Sequence, residues 1–319
     1  MDNYNNNFCS INVYVLITGY YLGNNSTFKF TIYCKRFIKI LIPTIFYSII
    51  LNLAYHLSEG SMPSVSEMVK SLFPIYNDAY WFVTKYIGLI ALSPFLGIIL
   101  NCINKRMHVL LVLIMLILTC EITPRIGYCH VYDADGMSIL WFITLFITGS
   151  FINKYDICIR IHNNSGRLFI IIGLLIAAIF LIRNFYKMQN GGYTIISKPH
   201  YNSIEIYILS ILLLIWASKL NIKDTGIISN IAKVGYLTFG IYLIHDNNYV
   251  REMLWNKIVD SNAFIESWFH IPYIISISAI IFLGCALIER FRFELFKRSK
   301  VETSIINLIT VCYEKHRRK

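Results

Sequence analysis

AYWFVTKYIGLIALSPFLGIILN, residues 79–101, carries a single charged side chain, Lys85. At 1.5 Å per residue, a helix of that length spans about 34 Å, enough to cross the roughly 30 Å hydrocarbon core of a bilayer. Similar apolar runs recur at approximately 8–23, 37–57, 107–121, 137–152, 168–183, 203–220, 231–250 and 271–289. The whole chain agrees with them. It is 56% hydrophobic and 15% charged, where a soluble domain carries roughly 25% charged residues, and its mean hydropathy is +0.56. These patterns predict an all-α, polytopic membrane protein with about nine transmembrane helices.

Loop charge orients the spans, because cytoplasmic loops are enriched in Lys and Arg. With the N-terminus outside, 21 of the 29 basic residues fall on the inward side, 7 fall outside, and Lys85 lies within a span. The net charge of +11 is thereby a topogenic signal, and nucleic acid is not an expected partner. The start, MDNYNNNFCSINVYVLITGYYLG, has neither a basic leader region nor a cleavage site, and an N-out start predicts a lost preceding span.

The eight cysteines, at 9, 34, 102, 120, 129, 158, 285 and 312, show no metal-ligand spacing and read as small apolar fillers with free thiols. No metal site is expected, and no phosphate-binding glycine loop or nucleophile elbow occurs. The expected organisation is one transmembrane domain, 1–290, followed by a basic cytoplasmic tail, 291–319. Within that tail the apolar patch 305–311 between basic flanks suits an interfacial helix on anionic lipid, and equally a frayed basic terminus.

Polar groups at membrane depth carry more information, since each must find a partner or water. Lys35, Arg36 and Lys39 lie within two turns just before Pro43, and Arg36 and Lys39, three apart, share a helix face. The cluster suits an anionic, phosphate-bearing cytosolic ligand, although topogenesis accounts for the same charges. At the outer end of the third span, Trp81 and Lys85 are four apart, so the ammonium can lie along the indole, with Asp78 available to neutralise it. A snorkelling lysine beside a belt tryptophan is the alternative. On the eighth span Phe239, Tyr242, His245, Asp246 and Tyr249 fall on one face, which places the imidazole near the outer interface.

The segments VYVLITGYYL (13–22), KRFIKILIP (35–43), YWFVTKYIGLIALSPFL (80–96) and FGIYLIHD (239–246) resemble, in order and spacing, the acyltransferase family 3 integral membrane proteins. The resemblance extends to about residue 290. It implies a ten-helix core that moves an acyl group, usually acetyl, from cytosolic acyl-CoA to an extracytoplasmic sugar hydroxyl. The family's basic motif matches Arg36 and Lys39, with Lys39 where a second arginine is usual. Thr18, Gly19 and Tyr20, Trp81, and Gly240 to His245 match further motifs, and Glu289 corresponds to a family glutamate. The family's first helix, which carries an Arg and a His suited to catalysis, would precede this chain. Nine spans in place of ten are what its loss predicts.

The expected function is therefore membrane O-acyl transfer, with acetyl the expected group, to a hydroxyl of a cell-surface or lipid-linked glycan, in a multi-pass protein of a bacterial plasma or inner membrane. Acyl-CoA is the expected donor substrate and no cofactor is expected to stay bound. His245 and Asp246 are the candidate catalytic residues. Lys35, Arg36, Lys39, Trp81, Lys85 and Tyr242 are the candidate substrate-binding residues. A transporter or flippase of lipid-linked sugars, and an inactive truncated fragment, are the competing expectations.

Overall fold

The structure, a computed structural model, describes residues 8–24, 30–120, 135–160, 167–168, 170–175, 178, 200–218, 226, 234–260 and 269–317. Among these, regular structure is helical throughout, with no strand. The helices are α1 (Phe8–Leu22), α2 (Phe30–Ser58), α3 (Val65–Leu72), α4 (Trp81–Cys102), α5 (Lys105–Thr119), α6 (Ile139–Lys154), α7 (Ile157–Arg160), α8 (Ile204–Ser218), α9 (Thr238–His245), α10 (Asn248–Met253), α11 (His270–Ser299) and α12 (Val301–Arg317). A five-residue π-helical turn, Leu254–Ile258, follows α10. Three of the described helices, Phe30–Ser58, Trp81–Cys102 and Pro272–Ser299, are long and apolar enough to cross a membrane, and further apolar helices are shorter. The run at 168–183 lies largely outside the described residues.

The chain divides into two compact units, one of residues 1–28 and 88–221, the other of 29–87 and 222–319. In the first unit α1 packs against α6 and α8. The closest approach of α1 and α6 is made by glycine, because a side chain at Gly19 would strike the Phe146 backbone and one at Gly149 the Leu16 backbone. Small residues allow such contact where lipid supplies no hydrophobic drive. A fully buried Asn12 then ties the elements together. It accepts from Trp141 Nε1 at 3.1 Å and donates to the Tyr201 carbonyl at 2.8 Å. Lys154, at the end of α6, donates to the Leu100 and Ile103 carbonyls at 2.6 and 2.9 Å, satisfying the last turn of α4 where no intrahelical donor remains.

In the second unit α2 is the central element, contacting α3, α9, α10 and α12, while α9 also packs on α11. α2 ends at Gly60, whose φ of 65° suits glycine. α3 begins with a capping box, in which Ser64 accepts from the Glu67 N–H at 3.3 Å and Glu67 accepts from the Ser64 N–H at 2.7 Å. Asn52 of α2, fully buried, donates to Ser71 of α3 at 2.7 Å.

One expectation changes. The eighth apolar run is not one helix through residue 250, since α9 stops at His245 and Asn247, with φ −62° and ψ 134°, starts α10 as its N-cap. Tyr249 therefore does not continue the face of Phe239, Tyr242 and His245. The physical reason is tertiary, as Asn247 is bonded to a buried tyrosine from another element. After residue 290 the described chain is helical. α11 runs on to Ser299, Lys300 turns the chain with φ 53°, and α12 folds back on α2, where Tyr313 stacks on Phe30 at 4.0 Å between ring centres.

Candidate active site

The sequence TFGIYLIH gives α9 an apolar surface with Gly240, Ile241, Leu243 and Ile244 buried, and places its one imidazole in the last turn. From there the ring reaches back one turn along its own helix. His245 Nδ1 lies 2.8 Å from the Ile241 carbonyl oxygen. A carbonyl can only accept, so Nδ1 carries the proton, and in the neutral ring Nε2 keeps its lone pair. The tautomer thus follows from the partner. Asp246 is not that partner: its carboxylate stands 3.6 Å from an Arg251 guanidinium nitrogen. The ring is oriented instead by the backbone carbonyl of its own helix. Tyr242 flanks the site, its ring centre 6.1 Å from the imidazole and 5.5 Å from Phe82.

One turn and a half earlier on α9, Gly240 faces Glu289 of α11 so closely that any Cβ would overlap the carboxyl group. Only 2% of Glu289 is exposed, yet three hydrogen bonds meet it. Tyr47 donates to Oε2 at 2.6 Å, Arg292 Nε donates to Oε2 at 2.8 Å, and Arg292 Nη2 donates to Oε1 at 2.6 Å. The two-pronged pair is the geometry that makes arginine strong toward carboxylate. Arg292 also reaches Glu302 of α12 at 3.6 Å and lies over the Phe296 ring, 4.9 Å from its centre. Three helices, α2, α9 and α11, are locked around a charge pair that would be very costly if split.

The cations of α2 separate into two environments. Lys35 and Lys39 are exposed, four apart on one face, while Arg36 is half-buried over the Tyr33 ring at 5.7 Å. Arg36 Nη1 is buried and has no hydrogen-bond partner among the described residues, an unmet donor on a fixed charge. At the start of α4, Lys85 pairs with Asp78 at 3.4 Å, and Trp81 is half-buried with its ring edge-on to Phe82. All eight expected site residues thus belong to the second unit. The structure brings Tyr242, His245 and Asp246 together at the end of α9. The α2 cations lie on another stretch of that unit.

Sequence reading passed over Tyr80, Tyr47, Asn247 and Arg292. Tyr80 and Tyr47 are each 1% exposed, and nothing in their local pattern separates them from ordinary core aromatics. Arg292 did leave a signal, standing three residues after Glu289, one helical turn past the end of the last apolar run.

With this geometry in hand, the comparison with known families is specific. A family model for an acyltransferase domain, that of family 3, matches residues 7–290. The chain belongs to acyltransferase family 3. No curated protein and no solved structure matches it. As a family 3 protein it is a membrane acyltransferase in the general sense, and the matched region contains His245, Gly240, Tyr47 and Glu289. Arg292 and Glu302, which complete the buried charge network of this acyltransferase, lie beyond the matched region.

Proposed function

We propose that this family 3 acyltransferase moves an acyl group, usually acetyl, from cytosolic acyl-CoA to a hydroxyl of a cell-surface or lipid-linked glycan, from within a multi-pass bacterial inner or plasma membrane. The observation that carries the reading is the 2.8 Å bond from His245 Nδ1 to the Ile241 carbonyl, which leaves Nε2 as a base at the end of the apolar helix α9. In the reaction Nε2 accepts the proton of the acceptor hydroxyl as its oxygen attacks the thioester carbonyl carbon. The carbon–sulfur bond breaks and the proton passes from the imidazolium to the departing thiolate. Such general-base help is typically worth about 10²- to 10⁴-fold.

Asp246, balanced by Arg251, supplies negative charge beside an imidazole that becomes positive in the transition state. Tyr242 and Trp81 offer aromatic walls for a sugar, and Lys85 an ammonium at their edge. Lys35, Arg36 and Lys39 are the contacts for the CoA phosphates, and the unpartnered Arg36 Nη1 favours that role over topogenesis alone. Lysine in place of a second arginine keeps the charge and gives up the planar fork.

The test uses full-length protein in proteoliposomes supplied with acyl-labelled acetyl-CoA and membrane glycan. Base-labile label on the glycan, lost in His245→Ala, is the expected result. Label-free glycan with wild-type protein that binds acetyl-CoA would overturn the assignment of the acceptor.

A further inference from the structure

His245 is bracketed by two residues that the reading above does not use. Leu243 precedes it by two positions and Asn247 follows it by two, and both are bound to the Tyr80 hydroxyl. The direction of each bond follows from what each atom can do. The Tyr249 N–H can only donate, so the Asn247 atom 3.0 Å from it is the amide oxygen. The Asn247 nitrogen then faces Tyr80 at 2.8 Å and can only donate, so the Tyr80 oxygen accepts. The Tyr80 proton is left for the Leu243 carbonyl at 3.1 Å.

That carbonyl is one that a continuing helix would satisfy with the N–H of Asn247. Here the Asn247 N–H turns to the Ile244 carbonyl at 3.4 Å, and Tyr80 supplies the replacement. Tyr80 is 1% and Asn247 5% exposed, so neither group has water to fall back on. The polar run His245–Asn248 permits a break, since Asn is a favoured N-cap, but does not by itself fix one at 247. A continuous helix is the competing state, and in it the Leu243 carbonyl would regain its backbone donor.

We infer that Tyr80 and Asn247 are positioning residues for His245. Together they select the broken helix end over the continuous one, and so hold the imidazole with Nδ1 on the Ile241 carbonyl and Nε2 turned to the acceptor hydroxyl. The inference rests on the acyl-transfer reading for its consequence in catalysis, but not for its consequence in the ring.

The experiment reads both. The His245 side chain of the full-length protein, ¹⁵N-labelled and assigned by difference from His245→Gln, should show, in its neutral form, Nδ1 protonated and Nε2 unprotonated. Tyr80→Phe removes the hydroxyl and should give mixed tautomers, with kcat for acyl transfer reduced about tenfold and KM for acyl-CoA unchanged. Asn247→Asp keeps the cap on the Tyr249 N–H but offers Tyr80 an oxygen in place of a donor, which draws its proton away from Leu243. It should produce the same tautomer mixing even where the Phe variant fails to insert. Because the two residues act as one unit, the double variant should be no worse than the poorer single one.

Wild-type tautomer populations and kcat in either inserted variant would overturn the inference, as would additive losses in the double variant. Loss of the fixed tautomer in both variants, in a wild-type protein that transfers no acyl group, would leave the positioning role standing and remove the proposed reaction.

Discussion

Gly240→Ala is the most searching perturbation of the charge network. A methyl group there would occupy the space of the Glu289 carboxyl, and the backbone of α9 cannot retreat without moving Ile241 and Leu243, both buried. Glu289 must therefore swing away from Tyr47 and Arg292, which hold it at 2.6–2.8 Å. Splitting a buried ion pair costs about 3–5 kcal/mol, while Ala in place of Gly inside a helix returns about 1 kcal/mol. The expected net loss is about 2–4 kcal/mol, read by equilibrium unfolding of the purified protein in mixed micelles. A second background isolates the cause. In Glu289→Ala the space is vacant, so adding Gly240→Ala should be neutral or stabilising by up to about 1 kcal/mol. A Gly240→Ala protein as stable as wild type would refute the reasoning, and so would an equal loss in the Glu289→Ala background.

In the other unit, Asn12→Ala should cost about 2–4 kcal/mol by the same unfolding measurement, because it strands the Trp141 indole N–H and the Tyr201 carbonyl in a fully buried site. Glu67 is held below the usual glutamate range, first by the Ser64 hydroxyl and then by the Ser64 backbone N–H. A depressed carboxyl contributes its stability above the unfolded-state pKa and loses it as pH falls through the folded one. Protection of the α3 amides, normalised to intrinsic exchange, should therefore fall as pH drops below the ordinary glutamate range of about 4.3, and Ser64→Ala should shrink that fall; a fall unchanged by Ser64→Ala would count against the capping box. With the C-terminus inside, exposed Cys312 should react with an impermeant thiol reagent only after the membrane is opened. A cysteine at Met62, 74% exposed, should react from outside, and the reverse pattern would invert the topology.

Helix existence was largely legible because length and apolarity act locally. α1, α4, α6, α8 and α11 lie where apolar runs predict them. The break after His245 was only partly legible: Asn247 is a favoured N-cap and does cap the Tyr249 N–H, but its bond to Tyr80, 167 positions away, leaves no trace in the local pattern. The approach of α1 to α6 did leave a trace in the four-residue spacing of Gly19 and Gly23, but a spacing on one helix does not name its partner. Of the site, His245, Asp246 and Tyr242 were legible because a polar group at the end of an apolar run stands out against its cost. Tyr47 and Tyr80 were not, because a buried tyrosine shows its role only through the atom its hydroxyl meets. Arg36 and Lys39 do not share an equivalent environment despite their spacing, since the neighbouring elements bury one side of α2 and leave the other open.

The central claim is a division of labour between the α2 cations and His245, and one paired measurement tests it. Acetyl-CoA affinity and the rate of acetyl transfer to glycan are determined on the same preparations of wild-type, Arg36→Ala and His245→Ala full-length protein. Loss of a charge-assisted contact worth about 1.5–3 kcal/mol predicts roughly 10- to 100-fold weaker binding for Arg36→Ala. His245→Ala should bind as tightly as wild type and transfer about 10²- to 10⁴-fold more slowly. His245→Ala protein that transfers at the wild-type rate, or that loses transfer only in step with acetyl-CoA affinity, would contradict the account.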